Sequence, residues 1–253
     1  MPIINIREQK VHYQELNREG AETVLLVHGM LGNLAVYYFR IAPILARRFR
    51  VVMYDLKGHG MSEKAVDGYD LASMAEDLLA LMDTLGLRSV HLAGYSFGGL
   101  IALKAAILYP ERIKKLSVIE GPDPSDEEPL EILNAYDKEA FAEYVSSRAN
   151  GIARRKGRRQ IDKDTRMQEF LFTETTIRED MKRDFGFFCK GNIYAIRHKT
   201  LLIYGKASDC MTAGYALSYK IDNSRLVLIE GDHSIPIQEP VQIGQFLEQF
   251  FSK

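Results

Sequence analysis

The stretch "LAGYSFGGLIAL", Leu92–Leu103, decides how the rest of the chain is read. A short apolar run leads into Ser96, which stands between Gly94 and Gly98, and an apolar helix-like segment follows. G-x-S-x-G at a strand-to-helix junction has a mechanical meaning: the sharp turn strains the serine backbone and lifts its side chain clear of the sheet. Residues two before and two after the serine must be small, because the turn brings backbones close together, and glycine meets that need. The helix starting beside Ser96 turns free N–H groups and its positive dipole end toward any developing oxyanion. A serine in a glycine-rich turn is common in any chain, so the surrounding pattern has to make the case for a nucleophile.

That pattern is a series of short runs dense in Val, Ile and Leu: "TVLLVHG", "RVVMYD", "SVHLAGY", "KLSVIEG", "TLLIYG" and "RLVLIEG". Runs apolar at nearly every position suit strands covered on both faces. Amphipathic segments separate several of them. "LASMAEDLLALMDTLG" sets Leu71, Met74, Leu78, Met82 and Leu85 on one helical stripe with Gly86 as its stop. "PVQIGQFLEQFFSK" opens on Pro240, which suits a first helical turn. Near the N-terminus, "IINIREQKVHYQEL" predicts a hairpin turning near Glu8–Gln9. The expected fold class is α/β, a mostly parallel central sheet of about eight strands with helices on both faces.

Residues 123–197 break this rhythm. They hold no strong strand run and read as charged helices, "EEPLEILNAYDKEAFAEYVSSRA", "KDTRMQEFLF" and "TIREDMKRDFGFF". The expected organisation is a core over residues 1–122, a helical cap inserted over 123–197, and the second part of the core over 198–253. Within the cap, the run "RRKGRR" from Arg154 to Arg159 predicts a solvated helix face, with an acyl-carrier partner as the weaker reading. Phe170, Phe172, Phe185, Phe187 and Phe188 predict a cap core whose inner surface could wall an apolar pocket.

Composition bounds the function. The chain has 253 residues and a net charge of −1, which suits one sizeable domain and gives no global field toward nucleic acid or membrane. It has no apolar run of eighteen residues, so no membrane insertion is expected. "MPIINIREQK" lacks the apolar core of a signal peptide, and Cys189 and Cys210 form no C-x-x-C pair, so a cytoplasmic location is expected. "GHGMSE" lacks the third glycine of a dinucleotide loop, "YGKAS" lacks the earlier glycine of a P-loop, and no metal-ligand spacing stands out. Neither cofactor nor metal is expected.

A serine hydroxyl needs a base. Of the six histidines, His12 falls in the hairpin, His91 inside a strand, His198 before a strand, and His28 and His59 in glycine turns. His233 follows the last strand in "VLIEGDHSIPIQEP", at the sheet's carboxyl end, where open α/β sheets place their ligands. It is the candidate base, and its neutral form predicts activity rising as pH passes through about 7. The base needs a carboxylate to hold its tautomer. Asp209, in "GKASDCM" after "TLLIYG", is the candidate, which makes the chain order Ser96, Asp209, His233. Cys210 beside it reads as a packing residue.

With "LLVHGMLGN", "VVMYDLKGHGMSE", "GYSFGG" and "EGDH" in one chain, the sequence resembles the α/β-hydrolase superfamily, in the form that carries a helical cap. The resemblance covers roughly residues 10–122 and 198–253. It implies that the backbone N–H groups of Met30 and Phe97 form an oxyanion hole, and that Asp55, Gly58, Gly60 and Ser62 are a structural loop signature. The chain departs from the family in one place. The acid usually comes three residues after the glycine closing its strand, which is Ser208 here. Some members take it from the end of the preceding core strand, which is Glu120. Asp209 is preferred and Glu120 is the alternative. The function expected is a cofactor-independent serine hydrolase, a carboxylesterase or thioesterase acting on a small acyl substrate. Carbon–carbon bond hydrolysis or lyase chemistry on a keto or carboxylate substrate is the alternative, and a ligand receptor with vestigial chemistry a third.

Overall fold

The structure, a computed structural model, describes residues 2–127 and 158–253. Eight strands form one sheet in the order β1-β2-β4-β3-β5-β6-β7-β8. They are β1 (Ile3–Ile6), β2 (Gln9–Leu16), β3 (Thr23–Val27), β4 (Arg50–Tyr54), β5 (Val90–Tyr95), β6 (Ile113–Ile119), β7 (Thr200–Gly205) and β8 (Ser224–Ile229). Pairing is antiparallel for β1–β2 and β2–β4 and parallel from β4 to β8. The hairpin turns at Arg7 and Glu8, both at positive φ, one residue earlier than the sequence pattern predicts.

The helices described are α1 (Ala35–Tyr38), α2 (Ile41–Leu45), α3 (Leu71–Thr84), α4 (Phe97–Leu108), α5 (Arg158–Glu174), α6 (Ile177–Cys189), α7 (Met211–Lys220), α8 (Ile235–Gln238) and α9 (Pro240–Phe251). Side-chain alternation along each central strand feeds two cores. Leu25, Val27, Val52 and Leu92 meet α3 and α4 on one face. Val24, Leu26, Val51 and Met53 meet α2 and α9 on the other. This is why these strands read as unbroken apolar runs: every position is covered. Among the described residues, no helix is long and apolar enough to cross a membrane.

Helices α5 and α6 lie between β6 and β7 in the chain, where the cap is expected. The predicted helix over 127–149 falls, apart from Glu127, outside the described residues, as do the side chains of the Arg154–Arg159 run. The start of α6 is tied to the start of α3 by two carboxylates. Asp180 accepts the Tyr69 N–H at 3.0 Å, and Asp184 accepts the Leu71 N–H at 2.6 Å and the Lys104 ammonium at 3.3 Å. Phe170 and Phe172 join Tyr69 and Ile177 in a small core of their own, while Phe188 joins the main one.

Candidate active site

The position of Ser96 is built by backbone strain. Ser96 sits at φ 52°, ψ −118°, between β5 and α4, a conformation that costs a non-glycine residue about 1–3 kcal/mol. It is held there by a bond from its N–H to the Ile119 carbonyl at 2.8 Å, while its own carbonyl accepts the Gly99 N–H at 2.8 Å. The flanking glycines are obligatory: a Cβ on Gly94 would stand 2.1 Å from the Gly98 carbonyl oxygen, and one on Gly98 2.3 Å from that of Val27.

His233 follows β8 and meets Ser96. Its Nε2 lies 3.1 Å from Ser96 Oγ and its Nδ1 3.2 Å from Glu120 Oε2. A carboxylate only accepts, so Nδ1 carries the proton, and the neutral ring turns the Nε2 lone pair to the serine hydroxyl. The carboxylate on the imidazole is therefore Glu120. Asp209, preferred from the sequence, is exposed in the neighbouring loop. The reason lies in the register of β6 on β7. Ile119 pairs with Ile203, so Glu120, at φ +54°, turns its side chain toward the end of β7. There Oε1 accepts the Gly205 N–H and Oε2 accepts the Ser208 hydroxyl in short hydrogen bonds. Ser208 occupies the position where the resemblance puts the acid, and here it donates to Glu120.

Three supporting residues escaped the sequence reading. The ring of Tyr95 lies against that of His233, 5.4 Å between centroids, and its hydroxyl donates to the His233 carbonyl at 2.9 Å. Cys210 packs in the main core, as expected, and its thiol also lies within 4.8 Å of both the Glu120 and the His233 donor atoms. His28 holds the loop after β3. Its Nε2 accepts the Leu56 N–H at 3.0 Å, so its Nδ1–H donates to the Gly29 carbonyl at 2.7 Å. In a trans peptide the C=O and the next N–H point to opposite sides. Pulling the Gly29 carbonyl to His28 thus turns the Met30 N–H the other way. Burial lowers the His28 pKa, which keeps the ring neutral and this tautomer in place. The H-G pair was the available signal.

Among the described residues, neither the Met30 nor the Phe97 backbone N–H meets a protein acceptor. Gly29 lies against Ser96, since a Cβ there would stand 3.1 Å from Ser96 Cβ. An apolar pocket opens beside Phe97, walled by Leu71, Leu100, Pro122, Phe185 and Phe188, with Asp123 and Asp126 in its lining. Burial works against a protonated His233, but hydrogen bonding and charge from Cys210 and Glu120 outweigh it and push its pKa up to about 9. This is above the ordinary histidine value on which the expectation of about 7 rests. The other sequence candidates lie elsewhere. Asp55 accepts His12 Nδ1–H at 2.7 Å and the Leu34 and Met61 amides at 2.8 and 2.9 Å, a structural knot. His91 is buried against Phe251, 4.9 Å between ring centroids.

The sequence profile of the alpha/beta hydrolase fold matches residues 22–171. The chain belongs to this family. Among curated proteins, it is 45% identical over 105 residues to a dihydrolipoyllysine-residue acetyltransferase component of an acetoin cleaving system from Pseudomonas putida, covering 42% of this chain and 28% of that protein. It is 39% identical over 107 residues to a protein named as a carbamate hydrolase from Caulobacter sp. (strain K31), covering 41% of this chain and 40% of that one. The matched segment thus spans well under half the length of either relative. The fold is that of the enol-lactonase from Burkholderia xenovorans LB400, with a TM-score of 0.76 and 21% identity over 100% of both chains.

Proposed function

We propose that this α/β-hydrolase is a serine hydrolase of small, apolar acyl esters or thioesters. The observation that carries the reading is His233 bridging Ser96 Oγ and Glu120 Oε2 at 3.1 and 3.2 Å. Ser96 attacks the acyl carbonyl while His233 Nε2 takes its proton. Glu120 holds Nδ1–H and stabilises the imidazolium that forms. The N–H groups of Met30 and Phe97 receive the oxyanion, each donor worth about 10²–10³ in rate. The imidazolium returns its proton to the leaving group, an acyl-enzyme remains, and water activated by the same base resolves it. In this reading the segment 123–197 acts as a cap over the site.

The lining of the pocket favours an apolar group over an anionic one. Its described residues are apolar apart from the acidic Asp123, Asp126 and Asp184, with no arginine or lysine among them. Asp123 and Asp184 are each paired with a lysine, Lys220 and Lys104, so what the described lining chiefly presents to a substrate is its apolar surface.

The test is labelling by a fluorophosphonate, with turnover of p-nitrophenyl esters and of aryl carbamates alongside. The parent should label and hydrolyse, and Ser96→Ala should do neither. A parent that stays unlabelled and inert refutes the proposal, as does a Ser96→Ala variant as active as the parent.

A further inference from the structure

Among the described residues, Glu120, Cys210 and His233 are the one group of three His, Cys, Asp or Glu side chains close enough to share a metal ion, their donor atoms all within 4.8 Å of one another. We propose that they form a binding site for a thiophilic divalent cation such as zinc or cadmium, and that occupation switches the hydrolytic site off.

The donor set suits such a cation. One thiolate, one imidazole and one carboxylate, with water in the fourth position, are the usual ligands of four-coordinate zinc. With zinc–ligand bonds of about 2.0–2.3 Å, tetrahedral neighbours stand about 3.5 Å apart, so donor atoms now within 4.8 Å of one another would have to close by at most about 1.3 Å. The site is also held in place from behind. Glu120 is fixed by the Gly205 N–H and the Ser208 hydroxyl, and Ser208 Oγ in turn accepts the Cys210 N–H at 3.1 Å. Ligands oriented by such outer contacts bind metal more tightly than free ones. Access comes from the imidazole, whose side chain is 23% exposed while that of Glu120 is fully buried.

The consequence follows from which nitrogen the cation takes. Nδ1 faces Glu120, so the cation replaces the proton there, and Cys210 releases its thiol proton to solvent. The neutral ring then carries its one proton on Nε2. It can donate to Ser96 Oγ but cannot accept from it, and the serine loses its base. Glu120 loses its hold on the ring in the same step. Hard cations such as magnesium, which avoid thiolates, have no such effect.

The experiment uses the full chain in a Cys189→Ser background, which removes the other, exposed thiol. Cadmium should produce a thiolate charge-transfer band saturating at one ion per chain, and zinc should bind in calorimetry. Ser96→Ala should leave both unchanged, since Ser96 is not a ligand. Cys210→Ala, checked for an unchanged thermal transition, should abolish the band and weaken zinc by on the order of 100-fold or more. Ester turnover should fall with zinc and recover with chelator, while Cys210→Ala no longer responds. No band in the Cys189→Ser protein overturns the inference, as does zinc binding equally tight in Cys210→Ala. The inference takes only its kinetic arm from the proposed hydrolase activity. Should the protein hydrolyse nothing, the cadmium band and the calorimetry still decide it.

Discussion

Replacing Glu120 by glutamine tests the assignment of the acid most directly. Three donors converge on this carboxylate: Gly205 N–H on Oε1, and the Ser208 hydroxyl and His233 Nδ1–H on Oε2. An amide has only one oxygen to offer them. Gly205 N–H is a fixed donor and cannot change its role, so the oxygen of the introduced amide should stay opposite it. Ser208 can rotate its hydroxyl to accept, and His233 can change tautomer. The amide NH₂ therefore ends at the Oε2 position and donates to Nδ1, which forces the ring proton onto Nε2. The base is then in the wrong tautomer. A misplaced tautomer of this kind costs about 10⁴ in kcat in the serine protease triad. With the partial exposure of His233 leaving some tautomer exchange through water, a loss of about 10³–10⁴ is expected, or about 4–5.5 kcal/mol of transition-state stabilisation. The assay is steady-state ester turnover with active-site titration, at matched thermal stability. Asp209→Asn, in the exposed loop, should stay within about threefold of the parent, the scale of a surface change. Glu120→Gln retaining a tenth or more of parental kcat, with Asp209→Asn collapsing, would refute the assignment.

Other outcomes follow from the same geometry. In the proposed mechanism His233 acts as a neutral base, and its pKa is pushed up to about 9, so kcat/KM should climb with pH to a half-maximum near that value. Cys210→Ala, which removes one of the two groups raising the pKa, should move the rising limb to lower pH in a pH–rate profile. Gly98→Ala would set a Cβ 2.3 Å from the Val27 carbonyl oxygen, so it should cost about 1–3 kcal/mol in a denaturant melt and reduce fluorophosphonate labelling by displacing the elbow. Asp184→Leu leaves the buried Lys104 ammonium and the Leu71 N–H without their shared carboxylate. It should cost about 3–5 kcal/mol in the same measurement, and Lys104→Met combined with it should recover part of the loss.

Much of this protein is legible before folding. The six apolar runs are β3 to β8 to within a residue or two, and the inner ones are apolar at consecutive positions because both their faces are covered. Ser96 announces itself because its strained backbone demands glycine at 94 and 98, a requirement local to a few residues and so visible in them. His233 is legible for a related reason, as it follows the last strand at the end of the sheet where Ser96 also emerges. The third member of the constellation is different. Glu120 and Asp209 each follow a strand at that same sheet end, and nothing within a few residues of either tells which one reaches the imidazole. The choice is made by the register of β6 against β7 and by the positive φ of Glu120, which bring it beside Gly205 and Ser208. Pairing between strands separated by some eighty residues is a long-range property. It is settled when the sheet assembles, and local composition does not record it.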